Sequence, residues 1–185
     1  MGSRNPDSPA AFRPKREAEI MLDYIVDDFL ENPDAMAYFY DLFRRVYIQG
    51  EPLADDRPRI GTTCIQVPEE LVYAHGAVPV RLCDGSYHYD QVGADFMPLK
   101  SCSLVKATLG RLMTEGARSK LGRIDLIVNP TTCDQKKKAS VMMENMGYSV
   151  HDLELPNTKE SEAARIYWQR SVRQFSERQI GRAHV

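Results

Sequence analysis

The stretch of residues 123–155, RIDLIVNPTTCDQKKKASVMMENMGYSVHDLEL, decides the fold. Its start, residues 123–128, is an apolar run of the kind found in strands of parallel sheets that are covered on both faces. The pattern then predicts a helix from about Cys133 to Met146, followed by a strand over residues 148–155. A strand, a helix and a second strand in this order indicate one crossover unit of an open parallel sheet.

Upstream of this unit, strand and helix alternate in the same way. Residues 60–67 predict a strand, and a short helix that begins at Pro68 precedes a further strand over residues 77–82. Residues 83–100 show no period and are predicted to form a long loop over a site. Ser101 can cap the next helix, whose predicted buried face consists of Cys102, Val105, Leu109, Leu112 and Met113.

The downstream part of the chain completes the pattern. Asn157 and Glu160 form a capping-box start for a helix that places Ala164, Trp168, Val172 and Phe175 on one face. Residues 59–179 therefore predict an α/β domain. We expect an open parallel sheet of about four strands with right-handed crossovers and helices on both faces.

The two ends of the chain differ from this domain. Residues 1–14 contain three prolines and two serines and predict a disordered leader. Residues 15–58 predict a helical hairpin, broken near Asn32, and a linker. The last six residues, 180–185, resemble the translation of a sequencing-library adapter, so we expect them to be an artefact and the natural protein to continue.

Composition and charge exclude several classes of protein. The chain has 24 Lys and Arg against 26 Asp and Glu, a net charge of −2. This balance argues against a nucleic-acid partner. The sequence has no apolar run long enough to span a bilayer and no secretion signal, which predicts a cytoplasmic protein that does not bind membranes. Its four cysteines are therefore expected to be free thiols or metal ligands.

Two of these cysteines occupy similar positions. No G-x-G-x-x-G, G-x-x-x-x-G-K-[ST], H-E-x-x-H or G-x-S-x-G motif is present, so the usual cofactor and hydrolase motifs give no guide. Cys102 and Cys133 each lie in the predicted first turn of a helix, and Cys133 follows the carboxyl end of a strand, where open α/β sheets bind ligands. A helix N-terminus stabilises a thiolate. The two thiols are thus candidate iron–sulfur ligands, with buried core thiols as the alternative.

Other residues have two interpretations each. Cys64 lies in a predicted strand, which favours a buried core thiol over one that lines a cluster pocket, and Cys83 is expected at a strand end without a metal. Glu69 and Glu70 begin a helix, where their negative charges interact favourably with the helix dipole. The alternative is that they handle a proton or orient the substrate. Residues 136–138, three lysines, predict a solvated face, with a phosphate clamp for coenzyme A as the alternative.

A longer stretch of the chain resembles a known family. Residues 61–82, GTTCIQVPEELVYAHGAVPVRL, are similar to the opening motif of the 2-hydroxyacyl-CoA dehydratase and benzoyl-CoA reductase family. Residues 100–103, KSCS, and 132–134, TCD, resemble the two cysteine motifs that follow in that family. Residues 153–156, LELP, precede a helix that contains Tyr167 and Trp168, again as in the family. The resemblance extends over about residues 61–175.

The resemblance implies a function. The chain is expected to be the first part of an iron–sulfur subunit that removes water from a 2-hydroxyacyl-CoA in anaerobic metabolism. In such a reaction one low-potential electron converts the thioester carbonyl to a ketyl radical, which expels the hydroxyl group. By resemblance, Cys102 and Cys133 are two ligands of a [4Fe-4S] cluster, with Cys64 as a further candidate and the third ligand in a following domain that this chain lacks. Glu69 and Glu70 are the candidate catalytic carboxylates.

The resemblance also implies partners and leaves alternatives. An ATP-dependent iron–sulfur activator delivers the electron, and a homologous second subunit or a second copy completes the enzyme, so the fragment alone is expected to be inactive. An ATP-dependent reductase of the same family, either benzoyl-CoA reductase-like or carrying a double-cubane cluster, is the first alternative. A metal-free α/β module that binds an acyl-CoA or a partner protein is the second. In the cluster interpretation, the Cys102 and Cys133 sulfurs should lie about 6 Å apart.

Overall fold

A computed structural model describes residues 9–28, 32–51, 56–116 and 123–180 of the chain. In chain order its helices are α1 (Pro9–Asp28), α2 (Ala37–Phe43), α3 (Glu69–Ala74), α4 (Tyr87–Ala94), α5 (Ser103–Glu115), α6 (Asp134–Asn145) and α7 (Glu162–Ile180). Its strands are β1 (Arg59–Thr62), β2 (Val78–Arg81), β3 (Leu126–Pro130) and β4 (Val150–Leu153). None of the described helices is long and apolar enough to cross a membrane.

The four strands form one parallel sheet in the order β2-β1-β3-β4. Gly61, in β1, lies between Val80 of β2 and Ile127 of β3. The chain first moves outward from β1 to β2 and then returns across β1 to β3 on its other side. The order therefore reverses between β1 and β3, and the crevice outside the carboxyl ends of two such strands is the usual ligand site of an open α/β sheet.

Helices cover both faces of the sheet, which confirms the predicted α/β architecture. The strands alternate their apolar side chains, so Ile127 faces one side while Leu126 and Val128 face the other. On the first side, α5 and α6 contribute the core residues Val105, Leu109, Leu112, Ala139 and Met143. On the second, α3 and α7 contribute Val72 and Phe175, both fully buried.

The N-terminal segment is helical, as predicted, with different bounds. α1 already begins at Pro9, within the predicted leader, whereas residues 1–8 lie outside the described ranges, as do residues 181–185. After α2 the helix continues as a π-helical segment, Arg44–Gln49, which packs against α1. α1 is tied to the α/β domain through Glu17, whose carboxylate accepts hydrogen bonds from Ser86 Oγ and from the His88 backbone N–H, 2.5 and 3.0 Å away.

The structure corrects the predictions for one strand, one helix cap and one loop. β1 ends at Thr62, so residues 64–67 form a turn and not the second half of a strand. α7 begins at Glu162 and is capped by Ser161, whose hydroxyl accepts a hydrogen bond from the Ala164 N–H at 3.1 Å, and not by the Asn157 capping box. The loop predicted over residues 83–100 contains a helix, α4.

α4 was missed because its buried face is not aliphatic. The residues that it buries are Tyr89, Asp90 and Gly93, so no hydrophobic period marks the helix. Helix α4 begins at an ordinary N-cap, because Ser86 Oγ accepts a hydrogen bond from the Tyr89 N–H. Asp90 pairs with Lys106 of α5 at 3.0 Å, both side chains being nearly excluded from solvent.

Two glycines allow α4 and α5 to approach closely. A Cβ atom on Gly93 would lie 2.0 Å from the Lys106 carbonyl oxygen, and one on Gly110 would lie 2.0 Å from the Tyr89 carbonyl oxygen. These neighbours are backbone atoms, which cannot turn away as a flexible side chain can. The helix pair therefore requires glycine at both positions.

We predict that Gly93→Ala or Gly110→Ala lowers the free energy of unfolding by about 3 kcal/mol, the upper part of the range for overpacked sites. Alanine gains about 1 kcal/mol of helix propensity, which does not offset the displacement of a helix backbone. Urea unfolding measures the difference. Gly85→Ala is the control, because a Cβ there meets no atom within 4 Å; equal stability of all three variants would contradict the close-approach argument.

Candidate functional site

Two cysteines occupy equivalent positions at the carboxyl edge of the sheet. Cys102 is the N-cap residue of α5, and Cys133 is the N-cap residue of α6, three residues after β3 ends. Neither side chain makes a capping hydrogen bond, and both thiols are free and exposed. The structure thus corrects the expectation that Cys102 belongs to the buried face of its helix.

The predicted cap of α5 was also wrong. Ser101 is buried, and its hydroxyl has no hydrogen-bond partner in the described part of the chain. Cys102 stands one residue closer to the helix, and its carbonyl accepts hydrogen bonds from the Val105 and Lys106 N–H groups at 3.0 and 3.1 Å. Cys102 therefore stands at the N-terminus of α5.

A cavity of about 290 Å³ opens beside Cys102, between the carboxyl edge of the sheet and helices α5 and α6. Its lining is mostly apolar and includes Ile65, Leu104, Val105, Leu109, Ala139 and Met143. Three thiols share this lining, those of Cys64, Cys83 and Cys102, whereas Cys133 is exposed and does not line the cavity. The cavity lies where the strand order reverses, the position that the topology favours for a ligand.

The two further cysteines have different environments. Cys64 lies in the turn after β1, is half-buried, and lines the cavity, so the prediction of a buried thiol within a strand was wrong. The Cys83 thiol donates a hydrogen bond to the Thr63 carbonyl oxygen at 2.9 Å. Burial raises the pKa of Cys83, which keeps this thiol protonated near neutral pH and makes it a poor ligand by itself.

Lys136 enters the site from α6. Its side chain is buried, with 9% of the residue exposed, whereas Lys137 and Lys138 are exposed to solvent. The prediction of a solvated lysine face is therefore confirmed for Lys137 and Lys138 and was wrong for Lys136. Its ammonium donates hydrogen bonds to the Thr63 carbonyl oxygen and, at 2.9 Å, to the Thr63 hydroxyl. Lys136 also lines the cavity.

A chain of hydrogen bonds fixes this lysine. The Thr63 hydroxyl donates to Asn129 Oδ1 at 2.7 Å, and Asn129 Nδ2 donates to the Lys136 carbonyl oxygen at 2.9 Å and to Ser140 Oγ at 2.7 Å. Ser140 Oγ in turn donates to Asp152 of β4. Asn129 is fully buried. The network thus connects the carboxyl ends of β1, β3 and β4 with the first two turns of α6.

Sequence reasoning did not identify Thr63 or Asn129. The signal available was the position of polar residues directly after, or at the end of, predicted parallel strands. The predicted strand ends at residue 128, which leaves Asn129 outside it. In the structure it lies in β3, between Val128 and Pro130, and its amide has three hydrogen-bond partners.

The two candidate carboxylates, Glu69 and Glu70, lie in different environments. Glu69 Oε1 accepts hydrogen bonds from Arg81 Nη2 at 2.8 Å and from the Thr62 hydroxyl at 3.2 Å. Arg81 lines the cavity, so Glu69 contacts the site through this arginine. Glu70 is exposed.

The described residues do not form a complete metal site. Within residues 9–28, 32–51, 56–116 and 123–180, no three His, Cys, Asp or Glu side chains come together as a group that could hold a metal ion. The edge provides instead two exposed thiols, each at a helix N-terminus. One of them, Cys102, lines the apolar cavity together with the buried Lys136 side chain.

The chain is similar to known proteins of one family. Residues 64–182 match the family described as 2-hydroxyglutaryl-CoA dehydratase, D-component. The chain is also 35% identical over 111 residues to the putative dehydratase subunit YjiM of Escherichia coli strain K12. That alignment covers 60% of this chain and 28% of the relative, so the chain spans well under half of the relative's length. Because the family match covers more than half of its residues, the chain belongs to the 2-hydroxyglutaryl-CoA dehydratase D-component family.

Proposed function

We propose that this chain is the N-terminal part of a cytoplasmic iron–sulfur subunit that removes water from a 2-hydroxyacyl-CoA by a radical route. The family supports a dehydratase-type subunit. The observation that carries the finer proposal is the pair of free thiols, Cys102 and Cys133, at the starts of α5 and α6 on one edge of the sheet.

The donor chemistry of this edge fits a [4Fe-4S] cluster. Thiolates are the usual ligands of such clusters, and an exposed, unpaired thiol is available without rearrangement of the core. Two helix N-termini beside the thiols would offset part of the negative charge of a thiolate-bound cluster. This chain contributes two ligands in the proposal, Cys102 and Cys133, with sulfurs about 6 Å apart, and the third comes from the remainder of the protein.

A bound [4Fe-4S] cluster with one open iron would supply a single electron and a Lewis-acid site for the thioester carbonyl or the hydroxyl group. The residues of this chain have other tasks. The apolar wall around Leu104, Leu109 and Met143 binds the acyl group and excludes water from the reacting atoms. Glu69 holds Arg81 at the cavity, and Glu70 is the carboxylate available to handle the proton that leaves with water.

The proposed partners follow from the same assignment. An ATP-dependent iron–sulfur activator supplies the electron, and a homologous subunit or a second copy completes the active site. The family is described as a D-component and the relative as a subunit, which supports an enzyme of several parts. The substrate proposed is an acyl-CoA.

We predict that Cys102→Ala or Cys133→Ala abolishes cluster incorporation in the complete protein, because each removes a ligand from the edge. Cys83→Ala should leave iron and sulfide largely unchanged, since that thiol is protonated and bonded to Thr63. The measurement is iron and acid-labile sulfide after anaerobic purification. Equal iron in all variants would refute the ligand assignment, and a wild-type protein free of iron would favour the metal-free acyl-CoA-binding module.

A second prediction separates dehydration from the reductase alternative. Elimination of water is redox-neutral, so the electron returns after each turnover and ATP use by the activator should fall far below product formation. A reductase consumes an electron pair for every product. The assay combines the complete enzyme, its activator, ATP and a 2-hydroxyacyl-CoA, and measures product mass together with ADP. ADP release in proportion to a reduced product would contradict the dehydratase proposal.

A further inference from the structure

Three cationic side chains are buried in the described α/β domain, and one of them differs from the others. Lys106 pairs with Asp90 at 3.0 Å, and Arg111 pairs with Asp84 at 2.9 Å. Lys136 is equally buried, yet no carboxylate in the described ranges pairs with it. A buried charge without a counter-charge is unfavourable, so the fold alone gains little from the charge of Lys136.

The protein contacts of Lys136 satisfy only part of its hydrogen-bonding capacity. An ammonium has three N–H donors, and Thr63 provides two acceptors, its carbonyl oxygen and its hydroxyl. Neither acceptor depends on the lysine. The Thr63 carbonyl oxygen also accepts a hydrogen bond from the Cys83 thiol, and the Thr63 hydroxyl donates a hydrogen bond to Asn129.

Lys136 is one of the residues that line the cavity with the thiols. Lys136 shares this cavity with Cys64, Cys83 and Cys102, and it lies one helical turn after Cys133. Its positive charge opposes the effect of burial on the pKa of Cys83, which places the ammonium within electrostatic range of that thiol. Arg81, the other cation of the lining, is already neutralised by Glu69 at 2.8 Å.

We propose that Lys136 supplies a fixed positive charge near the iron–sulfur cluster at Cys102 and Cys133. This charge raises the reduction potential of the cluster. The inference rests on the proposed function. A thiolate-bound cluster is negatively charged and gains one more negative charge on reduction. A buried cation nearby stabilises the reduced state more than the oxidised state, because the interaction energy grows with the charge and is poorly screened.

The test compares Lys136→Gln with Lys137→Gln in the complete, cluster-loaded protein. Both changes remove one lysine charge from α6, but Lys137 is exposed to solvent. Lys136→Gln should retain its iron and shift the midpoint potential downward by at least a tenfold change in the reduction equilibrium, about 59 mV for a one-electron couple. Lys137→Gln should retain the wild-type potential, and Lys136→Arg should stay close to it. Potentiometric titration followed by EPR is the readout.

A second measurement separates an electrostatic role from a structural one. In the cluster-free full chain, Lys136→Met should leave the melting temperature unchanged or raise it, because an unpaired buried charge is replaced by an apolar side chain of similar length. A cluster-free Lys136→Met protein that is destabilised or fails to fold would assign the lysine to the fold and overturn the proposal.

The failures of the two proposals are distinguishable. An unchanged potential in an iron-loaded Lys136→Gln protein would overturn the role of Lys136 and leave the cluster assignment intact. An absence of iron from the wild-type protein would overturn the proposed function, and with it the inference that depends on it.

Discussion

Parallel pairing of β1 with β3 at the centre of the sheet determines where everything else in the domain can lie. The connection from β2 to β3 must cross β1, so α5 runs from the carboxyl edge back to the amino edge, and α6 starts from the same edge after β3. The pairing therefore brings two helix N-termini to one edge. It also leaves a crevice between the carboxyl ends of β1 and β3, and the cavity occupies that place.

The same edge combines a fixed polar network with an apolar cavity. Thr63, Asn129, Lys136 and Ser140 are joined by hydrogen bonds, which allows these polar groups to be buried at the carboxyl edge of the sheet. The network is rigid because each member is held from at least two directions. It places one buried lysine at a defined position in the cavity wall, next to aliphatic side chains.

Helix α5 is positioned from outside the sheet as well. α4 packs against it through Gly93 and Gly110, and the Asp90–Lys106 and Asp84–Arg111 ion pairs add electrostatic contacts in a nearly dry layer. Since Cys102 is the N-cap of α5, these contacts determine where its thiol lies at the edge. A helix that sequence patterning treats as a loop thus contributes to the geometry of the site.

The sequence by itself determined the α/β architecture and placed two cysteines near the starts of two helices. The apolar run of β3 and the helical period of α6 follow from local periodicity. Local patterns did not reveal α4, whose buried face is Tyr89, Asp90 and Gly93, or the turn that moves Cys64 out of β1. They also could not separate Lys136 from Lys137. Only tertiary packing decided which lysine is buried, because burial depends on Thr63, 73 residues away in the chain.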